Sequence, residues 1–228
     1  MNVQNFILLA LLLLAAAVLF ATVPDIDTRV AALFYSGANQ FVGRGQIGNL
    51  GRTIFATLPF LVLAAYVIAW AAWRAGYVWR FAPSGRAVGF VVATMVLGPG
   101  LLVNFALKDH AHRPRPVHIE AFGGPMQFRA FYQFDGACKK NCGFPSGEAS
   151  AAFWLVAPAL LAPAPLRPLA VGAAMAVGAA TGLLRMAFGG HFLSDVVMAA
   201  LLTLLLIGAC WRVMFGWRPP LSSCAPPI

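Results

Sequence analysis

The chain has 228 residues, 61% of them hydrophobic and only 10% charged, with a mean hydropathy of +0.79. That balance excludes a soluble globular domain and places the chain in a membrane. The formal net charge is +9, but the cations fall between apolar runs and not on an aromatic and basic face. They therefore read as topology or site residues, with no nucleic-acid partner.

The first apolar run, Phe6 to Val23, is read as a retained spanning helix. No basic residue precedes it, and it exceeds the roughly 7–15 residues of a signal-peptide core, although cleavage after A-T-V is the competing reading. A bilayer is crossed by about 20 apolar residues, and further runs lie near Thr53–Trp73, Ala87–Leu107, Ala149–Ala162, Pro168–Ala187 and Leu193–Phe215. The expected fold class is all-α, a polytopic bundle of six transmembrane helices forming a single integral membrane domain over residues 1–228. The fourth run is short, and only the Pro-rich turn Ala162 to Pro168 separates it from the fifth, so the two predict a tight helical hairpin.

Three basic segments fall on one side of a six-span chain. Arg74, Arg80 and Arg86 join spans two and three, Arg167 lies in the hairpin turn, and Arg212 and Arg218 lie in the tail. The positive-inside rule puts these residues and both termini in the cytoplasm. The loop of residues 108–148 and the link Arg185 to Phe192 then lie on the outer face. That loop carries Cys138 and Cys142, where an oxidising compartment permits a disulfide. Metal binding by C-x-x-x-C is the rival reading and lacks a second ligand pair nearby. Cys210 and Cys224 belong to the last span and the tail, and His110 and His112 read as loop residues.

Chemistry concentrates in three outer stretches. "KDHAHRPRP" gathers Lys108, Arg113 and Arg115 at the end of the third span, stiffened by Pro114 and Pro116; an interfacial cluster snorkelling to headgroups is the bland alternative. "FPSGEAS" offers Ser146 as an N-cap and Gly147 as an open backbone at a helix start, a setting that binds anions; a plain cap with Glu148 in the first turn accounts for it equally. "LRMAFGGHFLSD" places His191 and Asp195 four apart, so that a carboxylate can hold one imidazole nitrogen and leave the other as a nucleophile. Stapling of a helix start is the alternative there.

Together these stretches resemble the phosphatidic acid phosphatase type 2 superfamily, with its K-x6-R-P, P-S-G-H and S-R-x5-H-x3-D signatures. Lys108 to Arg115-Pro116 matches the first, Pro145-Ser146-Gly147 the second up to its last residue, and Arg185, His191 and Asp195 the third. The resemblance covers residues 108–195. It implies a lipid phosphatase without cofactor or metal, in which Lys108, Arg115, Arg185, Ser146 and Gly147 hold phosphate. It also implies that His191 forms a phosphohistidine and that Asp195 orients it. Cations and helix N–H groups would then carry the charge stabilisation otherwise given to magnesium.

Two positions depart from the pattern: Leu184 replaces a serine, and Glu148 replaces the histidine that protonates the leaving oxygen. Glu148 is a general acid only if its pKa rises from about 4.3; burial and a phosphate dianion favour that, while cations and the helix start oppose it. A leaving group that is already a weak base needs little protonation, which tilts the substrate towards lipid pyrophosphates or the glycosidic phosphate of lipid A. The expectation is a multi-pass inner-membrane enzyme with its site facing the periplasm, acting on a phosphorylated lipid of the bilayer. Lys139 and Lys140 would contribute to headgroup choice, and oligomeric state has no sequence signal. The rivals are a phosphotransferase using the same phosphohistidine, a non-catalytic phospholipid binder, and a transporter broken at Gly98-Pro99-Gly100.

Overall fold

The computed structural model describes residues 3–38, 40–77, 82–108 and 110–216; Arg80, Arg218 and Cys224 lie outside them. Among the described residues, five helices are long and apolar enough to cross a membrane: α1 (Val3–Thr22), α3 (Gln46–Arg74), α4 (Gly85–Met95) with its continuation to Leu107, α7 (Arg167–Ala187) and α8 (Leu193–Phe215). The chain is a polytopic helical membrane protein. Helices α1 and α3 turn most of their leucines and isoleucines outward, as lipid-facing helices do, while Leu9, Leu13, Leu58 and Leu63 pack inward.

The fourth expected run differs. It is two short helices, α5 (Gly147–Phe153) and α6 (Val156–Leu160). Pro158 has no N–H to donate to the Trp154 carbonyl, which instead accepts from Ala157 N at 2.8 Å, so the chain tightens and kinks there. Residues 149–158 are all buried, because the other helices surround this segment and lipid does not. Phe90, Val91 and Met95 of α4, Trp154 to Ala157, Ala174 of α7, and Leu204, Ile207 and Trp211 of α8 form the main core. Inside it Trp154 Nε1 donates to Thr94 Oγ1 at 2.9 Å, and the hydroxyls of Ser150 and Thr203 lie 2.7 Å apart.

Close approach of α7 to α5 depends on Gly178, where an added Cβ would stand 2.4 Å from the Phe153 ring. Gly178→Leu is expected to destabilise the protein by about 1–3 kcal/mol through overpacking. The check is the thermal unfolding midpoint in detergent; an unchanged midpoint would count against this packing.

The suspected break at Gly98-Pro99-Gly100 is continuous helix. Residues Val96–Leu107 wind as a π-helix, in which Lys108 N reaches the Val103 carbonyl five residues back at 3.0 Å and Asn104 Nδ2 donates to the Pro99 carbonyl at 2.6 Å. Two features had no hydropathy signal. α3 begins at Gln46, seven residues before the apolar run at Thr53, which places Arg52 on a helix. Between α1 and α3 stand helix α2 (Asp25–Ala32) and a hairpin of β1 (Tyr35–Gly37) and β2 (Gln40–Phe41). Ala31 and Phe41 from this segment pack on Ile119 and Phe122 of the outer loop and Phe192 at the start of α8.

Candidate active site

One end of the bundle collects the end of the π-helix, the outer loop, the starts of α5 and α8, and the end of α7. Ser146 caps α5 from an extended conformation, its hydroxyl accepting from Ala149 N at 3.4 Å, while its own N–H donates to the Asp195 carbonyl at 3.1 Å. The starts of α5 and α8 are thereby tied together. Gly147 permits the next contact. A Cβ there would meet Asn104 Oδ1 at 2.5 Å and Lys108 Nζ at 3.2 Å, so a larger residue would push Lys108 away from α5.

His191 is 2% exposed. Its Nδ1 lies 2.6 Å from the Gly143 carbonyl, and a carbonyl only accepts, so Nδ1 carries the proton and Nε2 keeps its lone pair. Asp195 Oδ2 is 3.7 Å from Nδ1, close enough for charge but too long for a hydrogen bond. The sequence pairing of His191 with Asp195 thus gives way to a backbone orienter that no side-chain pattern reveals. Burial pushes the His191 imidazole below its ordinary pKa, an effect only partly offset by Asp195. The ring is therefore neutral near pH 7.

Asp195 works mainly elsewhere. Its Oδ2 accepts from Phe192 N at 2.7 Å, capping α8, and its Oδ1 accepts from Arg113 Nη1. Arg113, grouped by sequence with the phosphate-facing cations, is completely buried and structural. It donates to Asp27 Oδ2 at 2.7 Å, Ser194 Oγ at 2.8 Å and the Arg129 carbonyl at 2.8 Å, and its guanidinium lies 4.6 Å from the centre of the Phe192 ring. Asp27, on α2, also accepts from Ser194 N at 2.8 Å. These groups fix the start of α8, and with it His191.

Arg115 is held by the Asn141 carbonyl, at 3.1 Å from Nε and 2.7 Å from Nη2. Asn141 sits inside the ring closed by the Cys138–Cys142 disulfide, and His112 Nδ1 stands 2.9 Å from the Cys138 carbonyl. Among the described residues there is no group of three His, Cys, Asp or Glu placed for a metal ion.

Glu148 faces two arginines. Arg52 Nε is 3.2 Å from each carboxylate oxygen and Arg52 Nη2 is 2.7 Å from Oε1. Arg185 Nε lies 3.5 Å from Oε2, yet this nitrogen is buried with no hydrogen-bond partner. Burial pushes the Glu148 carboxyl up, but the Arg52 hydrogen bonds and the charges of Arg185 and Arg52 outweigh it and hold the group below the ordinary carboxylate range. Between these two arginines Glu148 is ionised.

The structure therefore gathers Lys108, Arg115, Ser146, Gly147, Glu148, Arg185, His191 and Asp195 at one end of the molecule. Sequence reading missed Arg52, Asn104, Asp27 and the Gly143 carbonyl. Arg52 alone left a trace, as a lone charge just ahead of an apolar run.

Comparison with known proteins gives concordant results. A family model described as the PAP2 superfamily matches residues 86–219. The chain is 35% identical over 203 residues to the lipid A 4′-phosphatase of Francisella tularensis subsp. novicida (strain U112), covering 88% of this chain and 91% of that protein. It is 33% identical over 211 residues to the lipid A 4′-phosphatase of Rhizobium leguminosarum, covering 86% and 90%. The protein of the same name from Rhizobium etli is 35% identical over 211 residues, covering 86% and 81%. No solved structure matches significantly.

Proposed function

We propose, from the premise that this chain belongs to the PAP2 superfamily and is a membrane lipid phosphatase, that it removes a phosphate from the sugar headgroup of lipid A. The bond cleaved is a phosphomonoester of the 4′ kind, and the work is done on the periplasmic face of the inner membrane. The observation that carries this reading is the buried Arg185 Nε without a hydrogen-bond partner, within reach of the charge of Arg115 and of a neutral His191, at the end of the bundle where Lys108 meets the start of α5. A phosphate oxygen would satisfy that nitrogen. The basic residues Arg74, Arg86, Arg167 and Arg212 lie at or near the far ends of their helices, which supports cytoplasmic termini.

Chemically, the His191 Nε2 lone pair attacks phosphorus and the P–O bond to the sugar breaks. Lys108, Arg115 and Arg185 hold the non-bridging oxygens, together with Ser146 and Gly147. Asp195 acts by fixing the turn that presents His191. Water then attacks the phosphohistidine, the P–N bond breaks, and inorganic phosphate leaves. A ring alcohol at the 4′ position departs as a strong base, unlike an anhydride or anomeric oxygen, so this substrate needs a proton donor. Glu148 is the carboxyl at hand, once it has taken up a proton.

Phosphate release should be measured with lipid A, undecaprenyl pyrophosphate, phosphatidylglycerophosphate and phosphatidic acid. Lipid A is expected to be preferred, with loss of its 4′-phosphate; preference for phosphatidic acid would overturn the substrate. Glu148→Gln is expected to lower kcat on lipid A by about 10²–10⁴-fold, while p-nitrophenyl phosphate, whose leaving group needs no proton, loses far less. Full lipid A activity in this variant would remove Glu148 as the acid.

A further inference from the structure

Arg52 belongs to none of the three motifs and lies outside residues 86–219, which the family model matches. It nevertheless reaches into the site from α3 and grips Glu148 with two nitrogens, while Arg185 approaches the same carboxylate from α7. The Glu148 carboxylate thus takes the place of an anion between two guanidinium groups. Arg115 stands near enough to respond to the charges of both Glu148 and Arg52. We propose that Arg52 is a further phosphate-binding residue, paired with Glu148 before substrate binds and transferred to a non-bridging oxygen of the lipid phosphomonoester when it binds.

Three features support the exchange. A phosphate dianion carries twice the charge of a carboxylate and offers guanidinium the same forked geometry, so it competes for the same nitrogens. The Arg52 side chain is 45% exposed, against 5% for Arg185; it stands at the mouth, where a long side chain can be re-aimed. The buried Arg185 Nε has no hydrogen bond with Glu148 in place, so the carboxylate is an incomplete ligand for the pair.

The exchange also prepares the acid. After it, Glu148 faces a dianion in place of Arg52 on α3 and Arg185 on α7. Arg115 in the outer loop and His191 before α8 remain within reach of its charge. The carboxyl loses the contacts that kept it ionised and takes up one proton from water through the open mouth. That proton then passes to the leaving oxygen. Substrate binding and charging of the acid become one event.

This inference rests on the phosphatase reading, and its test is separable from it. Inorganic phosphate is used as a competitive inhibitor of lipid A dephosphorylation, with KM, kcat and Ki measured for the wild type, Arg52→Gln, Arg52→Lys and Glu148→Gln. The double variant of Arg52→Gln with Glu148→Gln completes a cycle. Arg52→Gln is expected to raise Ki for phosphate about 10- to 100-fold, with KM rising alongside, and Arg52→Lys should recover part of the loss. Glu148→Gln should lower Ki, because the internal competitor is gone. Arg52→Gln should still raise Ki in the Glu148→Gln background, since the contact is with phosphate itself. An Arg52→Gln effect below twofold, or one that vanishes in the Glu148→Gln background, would overturn the proposal. Absence of phosphate release by the wild type from every lipid would instead overturn the phosphatase reading.

Discussion

His191→Asn is expected to cut phosphate release by about three orders of magnitude or more, the scale seen when a covalent nucleophile is removed. The expectation comes from one short contact. The Gly143 carbonyl, 2.6 Å from Nδ1, fixes the tautomer and directs the lone pair to Nε2. Burial lowers the imidazole pKa, so the free base persists well below neutrality, and the acid limb of kcat/KM should lie below about pH 6.5, the ordinary histidine value. Asparagine supplies a polar group but no nucleophilic nitrogen. The cations are untouched, so inorganic phosphate should still bind with a Ki within a few-fold of the wild type. Wild-type enzyme quenched in alkaline denaturant is expected to hold a phosphoryl group that is stable to alkali and released by acid, which the variant lacks. Retention of more than a tenth of the activity would exclude His191 as the nucleophile.

Arg113→Leu should be the most destabilising single change in the outer region. Its guanidinium stands between Asp27 and Asp195, both fully or nearly fully buried. Removing it leaves two carboxylates without a counter-charge, and breaking such a pair costs about 3–5 kcal/mol. In a chain of this size that corresponds to a fall in thermal midpoint on the order of 10 °C. Asp27→Asn in the Arg113→Leu background should recover part of the loss, because one of the stranded charges is gone. Equal midpoints for wild type and Arg113→Leu would mean that the network carries no net stability. Activity should fall with the fold, since the same network seats the turn before His191.

The long spans were legible because about 20 consecutive apolar residues have few alternatives to crossing a bilayer. The fourth was misjudged as a single helix for a physical reason: its apolarity serves protein neighbours and not lipid, so length set no lower bound on it. The candidate site was legible where side chains in separate motifs meet at one end of the fold, in Lys108, Arg115, Arg185 and His191. It was opaque where position decides. Arg113 and Arg115 flank one proline and look alike as letters, yet one is buried on two aspartates and the other lies against the Asn141 carbonyl. Asp27 meets Ser194 across 167 residues, a distance no local pattern spans. Gly143 acts through its backbone, which every residue possesses.

The kinked segment α5–α6 bears on how the enzyme responds to its surroundings. Helices α1 and α3, largely bare of protein, take the strain when the bilayer thickens or thins, by tilting or by local lipid adjustment. The helix that begins at Ser146 touches almost none of that lipid, since residues 149–158 are buried. The start of α5 is thereby shielded from lipid, whereas Arg52 reaches Glu148 from the lipid-facing α3. Lipid composition can change how a substrate is presented at the mouth while the distances between His191, Gly143 and Arg185 stay set by protein alone.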